Sequence, residues 1–190
     1  LPLNVSREIL QESKVVRVIR RRLISKTLAM LKEISKRENE DYKTFWENFG
    51  RQLKLGVIED VANRKELASL LRFTTSKSTN DQESNRSLSE YIADMPEAQK
   101  AIYFVAGDTR KQCENSPFME KLNKLGYEVL YCTDPIDEVS MANLATFEEK
   151  EIKDISKEDL DLGEDDDEQK KKNEQIADEF KTVTEWLKKE

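Results

Sequence analysis

Along the first third of the chain, apolar side chains recur at helical rather than strand spacing. Val16, Ile19, Leu23, Met30 and Ile34, flanked by Ile24, Leu28 and Leu31, predict one long helix from Ser6 to about Lys36. Its broad apolar stripe is expected to be buried, with the arginines mostly on the other face. Ser6 is the expected N-cap, its hydroxyl accepting a free backbone N–H of the first turn. In "NEDYKTFWENFGRQLKLG", Tyr42, Phe45, Trp46 and Phe49 fall at i, i+3, i+4 and i+7, with Leu53 one turn further. That stripe predicts a second helix packed on helical neighbours, stopped by Gly56. A third, short helix is expected from a capping Asn63 through Leu67, Leu70 and Leu71 to Phe73.

"TTSKSTNDQESNRS" has no apolar anchor and reads as an exposed loop. "SLSE" at 87–90 has the Ser-x-x-Glu form of a capping box and opens a helix that Pro96 limits. After Lys100 the period changes. "AIYFVAG" and "YEVLYC" are short apolar runs rich in strand formers, and between them Ser116, Pro117, Phe118, Leu122, Leu125 and Gly126 mark a helix from cap to stop. Strand, helix, strand is a βαβ unit with a right-handed crossover. Asp134 and Pro135 repeat the start signal, and "KEIKDIS" is a weaker third strand. The expected class is α/β: a three-helix unit, then a small αβα domain with a short, mostly parallel sheet, plus a C-terminal helix. That last helix carries Ile176, Phe180, Val183 and Leu187 at helical spacing, with Trp186 beside them.

Composition and charge narrow the function. Hydrophobic and charged residues each make up 37% of the 190 residues, as in a folded chain with a modest core. No apolar run approaches the roughly 20 residues that span a bilayer, so no membrane partner is expected. The first residue is Leu rather than Met, as expected of a piece of a longer protein. Net charge is −7, unevenly spread. Residues 133–190 hold 20 acidic and 9 basic side chains. The cations cluster instead in "KVVRVIRRRLISK", which has no acid. Phosphate neutralisation by such a cluster is one reading. It lacks interleaved aromatics in an otherwise acidic chain, so a solvated or protein-docking face is preferred and no nucleic acid is expected.

With no histidine and two cysteines, Ser-His and Cys-His devices and a zinc site are excluded. Cys132 is expected in the core and Cys113 as an exposed thiol. The α/β unit invites a nucleotide, yet neither G-x-G-x-x-G nor G-x-x-x-x-G-K-[ST] occurs. Asp134, Asp137 and Glu138 lie where helix caps are expected, which is preferred to an acid/base pair. Arg7 offers a planar fork of donors beside a helix N-terminus, with Asn4 and Gln11 able to hold it. Read alone, it is a first-turn arginine.

"LPLNVSREILQ" closely resembles the catalytic loop in the middle domain of the ninety-kilodalton heat-shock chaperones. Similarity continues through "FWENFGRQLKLGVIED", "NRKELASLLRF", "SLSEYIADM", "IYFVAGDTRKQ", "SPFMEKLNKLGYEVLY" and "TDPIDE". The resemblance implies a catalytic loop at 1–11, a helical unit at 12–86, an αβα subdomain at 87–157, an acidic linker at 158–172 and the first helix of a C-terminal domain at 173–190. It implies an ATP-dependent chaperone whose ATP and Mg are bound by a separate N-terminal domain. Arg7 would reach the γ-phosphate there, supported by Asn4 and Gln11. The fragment alone would not hydrolyse ATP. Implied partners are that N-terminal domain, client proteins, co-chaperones and, through the C-terminal domain, a second copy. A docking module without a role in turnover is the alternative. "NVSRE", "FWENFG", "KLGVIED" and "SPFMEKL" look most like the endoplasmic reticulum member. Asn4 and Asn85 head glycosylation sequons, which fits that lumen, with the cytoplasm as alternative.

Overall fold

The computed structural model describes residues 14–37, 40–79 and 86–157. Arg7, Asn4, Gln11, Asn85, the Ser6 cap, the acidic linker and the last amphipathic stretch lie outside the described residues. Helices α1 (Lys14–Ser35), α2 (Glu40–Glu59) and α3 (Arg64–Ala68) come first, then strand β1 (Thr74–Thr75) and helix α4 (Leu88–Ala93). Strand β2 (Ala101–Ala106), helices α5 (Arg110–Glu114) and α6 (Met119–Leu125), strand β3 (Val129–Cys132) and helix α7 (Pro135–Leu144) follow. Strands β4 (Thr146–Phe147) and β5 (Lys150–Asp154) complete the order.

The five strands form one sheet in the order β1-β3-β2-β5-β4. β2 lies at its centre, parallel to β3 and to β5, while β1 and β4 are antiparallel edges. A parallel strand needs cover on both faces, and β2 alternates accordingly. Ile102 and Phe104 enter the larger core with Leu130 and Cys132 of β3, under α2, α4 and α7. Ala101, Tyr103 and Val105 enter the smaller core with Val129, Tyr131 and the α6 residues Met119 and Leu122. The expected three layers are present. The larger core is continuous from Leu28 of α1 to Phe147 of β4.

Helix starts whose chemistry is short-range follow the local sequence signals. Ser87 Oγ accepts from Glu90 N at 3.2 Å while Glu90 Oε2 accepts from Ser87 N at 2.8 Å, closing the capping box. Asp134 and Asp137 form a second box, with Pro135 in the first turn of α7. Gly126 closes α6 at φ 70, a conformation that only glycine adopts freely.

Other expectations are corrected. α1 meets the core through Leu28, with Ile24, Leu31 and Ile34 packed beside it, whereas Ile19, Leu23 and Met30 are exposed. The buried stripe is narrower than its apolar residues suggest, and half of them face away from the core. Phe49 is likewise exposed, stacked on Phe45. Gly56 does not stop α2, which runs on to Glu59; a Cβ there would lie 3.1 Å from a Leu67 methyl, so the glycine makes room for α3. Asn63 makes no side-chain cap, because its amide donates to Asp60 Oδ2 at 2.7 Å, and α3 ends at Ala68. α6 begins at Met119 rather than at Ser116 and Pro117, and Phe118 is exposed. Cys113 is buried against β2, its thiol pushed up chiefly by burial.

The polar stretch after Phe73 is not wholly a loop, since Thr74 and Thr75 pair with β3. Buried Glu128 explains why so polar a strand holds. It accepts from Thr75 Oγ1 at 2.6 Å and lies 3.3 Å from Arg86 and 3.7 Å from Lys77. Tyr91 adds a second anchor: its hydroxyl donates to the Glu128 carbonyl and accepts from Gln99 and from the Tyr103 N–H.

Burial alone would raise the Glu90 carboxyl, but donation by Ser87 and the nearby Arg72 and Arg86 bring it below its usual value. A depressed carboxyl stabilises the fold above its unfolded pKa, and that contribution is lost as pH falls through the folded value. Ser87→Ala is expected to cost about 1 kcal/mol at neutral pH. Urea unfolding should show the difference from wild type shrinking below about pH 4.

Candidate functional site

The candidate catalytic loop immediately precedes α1, so α1 is the element that would present it. Its C-terminal half is fixed by Leu28 and its packed neighbours and by Lys32, whose Nζ lies 3.1 Å from Glu66. Its N-terminal half is different. Val15, Val18, Ile19 and Leu23 are exposed, Leu23 by 63%. The cations Lys14, Arg20, Arg21, Arg22 and Lys26 are exposed as well. In the turn after α2, the Asn63 side chain chiefly, then the Asn63 and Ala62 backbone N–H groups and least the Arg20 charge, hold the Asp60 carboxyl below its usual value.

The sheet offers the position where α/β folds bind ligands. β2 leads to α5 and α6 over the smaller core and β3 leads to α7 over the larger one, so their carboxyl ends part. A cleft of about 250 Å³ lies there, lined by Gly107, Asp108, Thr133, Asp134 and Glu138 among others. Three carboxylates at its wall repel phosphate. The cleft therefore does not fit ATP, in keeping with the absence of a glycine-rich phosphate motif. Among the described residues no group of three potential ligands could hold a metal.

Asp134 and Asp137 form the capping box at the start of α7, and Glu138 lies in its first turn. Asp137 has a further role that the sequence did not reveal. Lys54 Nζ of α2 lies 2.5 Å from Asp137 Oδ1, with both side chains largely buried. Burial raises the Asp137 carboxyl while Lys54 pulls it back. Lys54 also sits over the Trp46 ring at 5.5 Å. Helical spacing marks Lys54 only as the neighbour of Leu53; its partner lies in another element.

The family model described as Hsp90 protein matches residues 1–190. The chain belongs to the Hsp90 family. Arabidopsis thaliana heat shock protein 90-5, chloroplastic, is 54% identical over 191 residues, which cover 100% of this chain and 24% of that protein. Arabidopsis thaliana heat shock protein 90-6, mitochondrial, is 51% identical, again over 100% of this chain and 23% of the relative. The Hsp90 chain in hand therefore spans about a quarter of the length of these relatives. A solved structure, the middle domain of a Plasmodium falciparum putative heat shock protein, superposes with a TM-score of 0.71 at 35% identity, covering 76% of this chain and 58% of that one. The described fold is thus that of an Hsp90 middle-domain fragment.

Removing one partner of a buried ion pair strands the other charge. Lys54→Met is expected to cost about 3–5 kcal/mol at pH 7. Because the folded Asp137 pKa is raised, its ionisation cost is carried above that pKa and disappears as the carboxyl protonates. The deficit of Lys54→Met should therefore shrink on acidification, and adding Asp137→Asn should restore most of it at pH 7. Chemical denaturation of wild type, Lys54→Met, Asp137→Asn and the double variant from pH 4 to 8 checks both.

Proposed function

We propose that this chain is the part of an ATP-dependent Hsp90 chaperone that completes the ATP site of a separate N-terminal domain and docks clients and co-chaperones. The observation that carries the reading is the family match over the whole chain, which includes "LPLNVSREILQ". Arg7 is the residue assigned to the γ-phosphate, with Asn4 and Gln11 holding the loop. The nucleotide and its Mg, when bound to the N-terminal domain, supply the phosphoryl group and the charge that screens it. Arg7 then donates from a planar fork toward the negative charge that grows during transfer, an effect worth about 10³-fold or more in comparable devices. This chain alone is not expected to hydrolyse ATP. In the intact protein a second copy would join through the C-terminal domain.

The non-catalytic docking reading rests on a specific observation, the exposed Val15, Val18, Ile19 and Leu23 beside the arginines of α1. The two roles can coexist in one chain. For the compartment, the chloroplastic and mitochondrial relatives support an organellar member. They give no support to endoplasmin or the endoplasmic reticulum lumen, nor to the cytoplasm.

Arg7→Ala in the intact protein is expected to lower steady-state ATP turnover by about 10² or more with nucleotide affinity little changed. Unchanged turnover would overturn the catalytic role and leave the docking module.

A further inference from the structure

A cleft of about 690 Å³ opens where the end of α1, the start of α2, the turn after α3 and the start of α4 converge. Its wall carries Lys32, Lys36, Arg37, Lys43 and Arg72 against the carboxylates Glu40 and Glu90. The volume is that of a site for a short peptide rather than for a single inorganic ion.

These cations are unequally committed. Lys32, Arg37 and Lys43 pair with Glu66, Glu33 and Glu40 at 3.1, 2.5 and 3.7 Å, all partly or fully exposed. Exposed pairs of this kind are weak and can exchange partners. Lys36 makes no ion pair among the described residues. Arg72 is held rigidly, its guanidinium 4.5 Å over the Tyr42 ring. One terminal nitrogen donates to the carbonyls of Leu71 at 2.9 Å and Ser69 at 3.4 Å. It lacks a hydrogen-bonded carboxylate among the described residues, and burial pulls its pKa down. Glu90 hydrogen-bonds to Ser87 and offsets part of the Arg72 charge only through space. A preorganised, incompletely neutralised arginine beside a lysine is suited to a carboxylate-rich segment.

The chain contains such a segment. Glu164, Asp165, Asp166, Asp167 and Glu168 are consecutive, within the strongly acidic last third. Reach is sufficient. Ser89 lines the cleft and donates to Glu148 at 2.7 Å, which places the start of β5 at the cleft rim. β5 leads away by about 17 Å, and Lys157 N then turns back to the Asp154 carbonyl at 3.3 Å. From Lys157 to Glu164 the extended chain covers up to about 25 Å, and to Glu168 about 40 Å.

We propose that this basic cleft is a binding site for an acidic peptide segment, and that its occupant is the chain's own run Glu164–Glu168. The site is separate from the Arg7 loop and its occupancy does not require ATP. A tethered run competes with any free acidic peptide at a high effective concentration.

The test neutralises the run with Glu164→Gln, Asp165→Asn, Asp166→Asn, Asp167→Asn and Glu168→Gln in the intact chain. NMR then follows the Arg72 Nε–H and the backbone amides of Lys36, Lys43 and Ser89. A synthetic peptide spanning Gly163–Gln169 is titrated into both chains. Neutralisation is expected to shift the cleft signals and to tighten binding of the free peptide about tenfold or more. High salt should abolish that binding, and Lys36→Glu, an exposed change that spares the Arg72–Tyr42 stack, should weaken it about tenfold. Unmoved cleft signals overturn the proposal. So does equal binding to both chains, which would mean that an acidic partner in trans is the occupant, and so does failure of the neutralised chain to bind the peptide.

Discussion

A strand with parallel neighbours on both sides has no face to leave in water, and β2 imposes that condition on everything around it. Its alternating side chains require two cores, so one set of helices must gather above the sheet and another below. Tyr103 shows how far this reaches: its ring stacks on Tyr127 in the smaller core while its backbone N–H is held by Tyr91, which belongs to the larger one. The two halves of the described chain are thus locked at a single strand. The helices that look in sequence like a unit of their own complete the cover of the sheet.

The buried charges serve the same constraint. Glu128 fastens an edge strand of only two residues, and Lys54 with Asp137 fastens α2 to α7 across the larger core. Neither arrangement is a cheap source of stability, since desolvation offsets most of the attraction. What they fix is register and position. A different packing would leave one of these charges stranded in an apolar interior.

Features decided within four residues were legible in the sequence: the Ser87 box, the Asp134 and Pro135 start signal, the Gly126 stop, the apolar run of β2. Features decided by a distant neighbour were not. Gly56 reads as a stop until Leu67 is placed against it, and Cys113 reads as exposed until β2 lies beneath it. β4 escaped because its hairpin turns through Glu148 and Glu149, both at positive φ, where an Asn-Gly pair would have announced it. The candidate loop itself was legible only by resemblance, because an arginine in a polar stretch carries no signal of what it faces. The cleft charges come from several elements, and no periodicity connects them.

A helix of 22 residues is about 33 Å long, and α1 is gripped by the core over its second half only. It behaves mechanically as a lever. A tilt of about 10° at the grip displaces the far end by about 3 Å, while chemistry at a reacting centre is sensitive to about 1 Å. If Arg7 acts as proposed, Leu28 and its packed neighbours would set the aim of the segment before Lys14. The solvent-facing valines and leucine of the outer half are where a second grip would stiffen the lever and hold it in line.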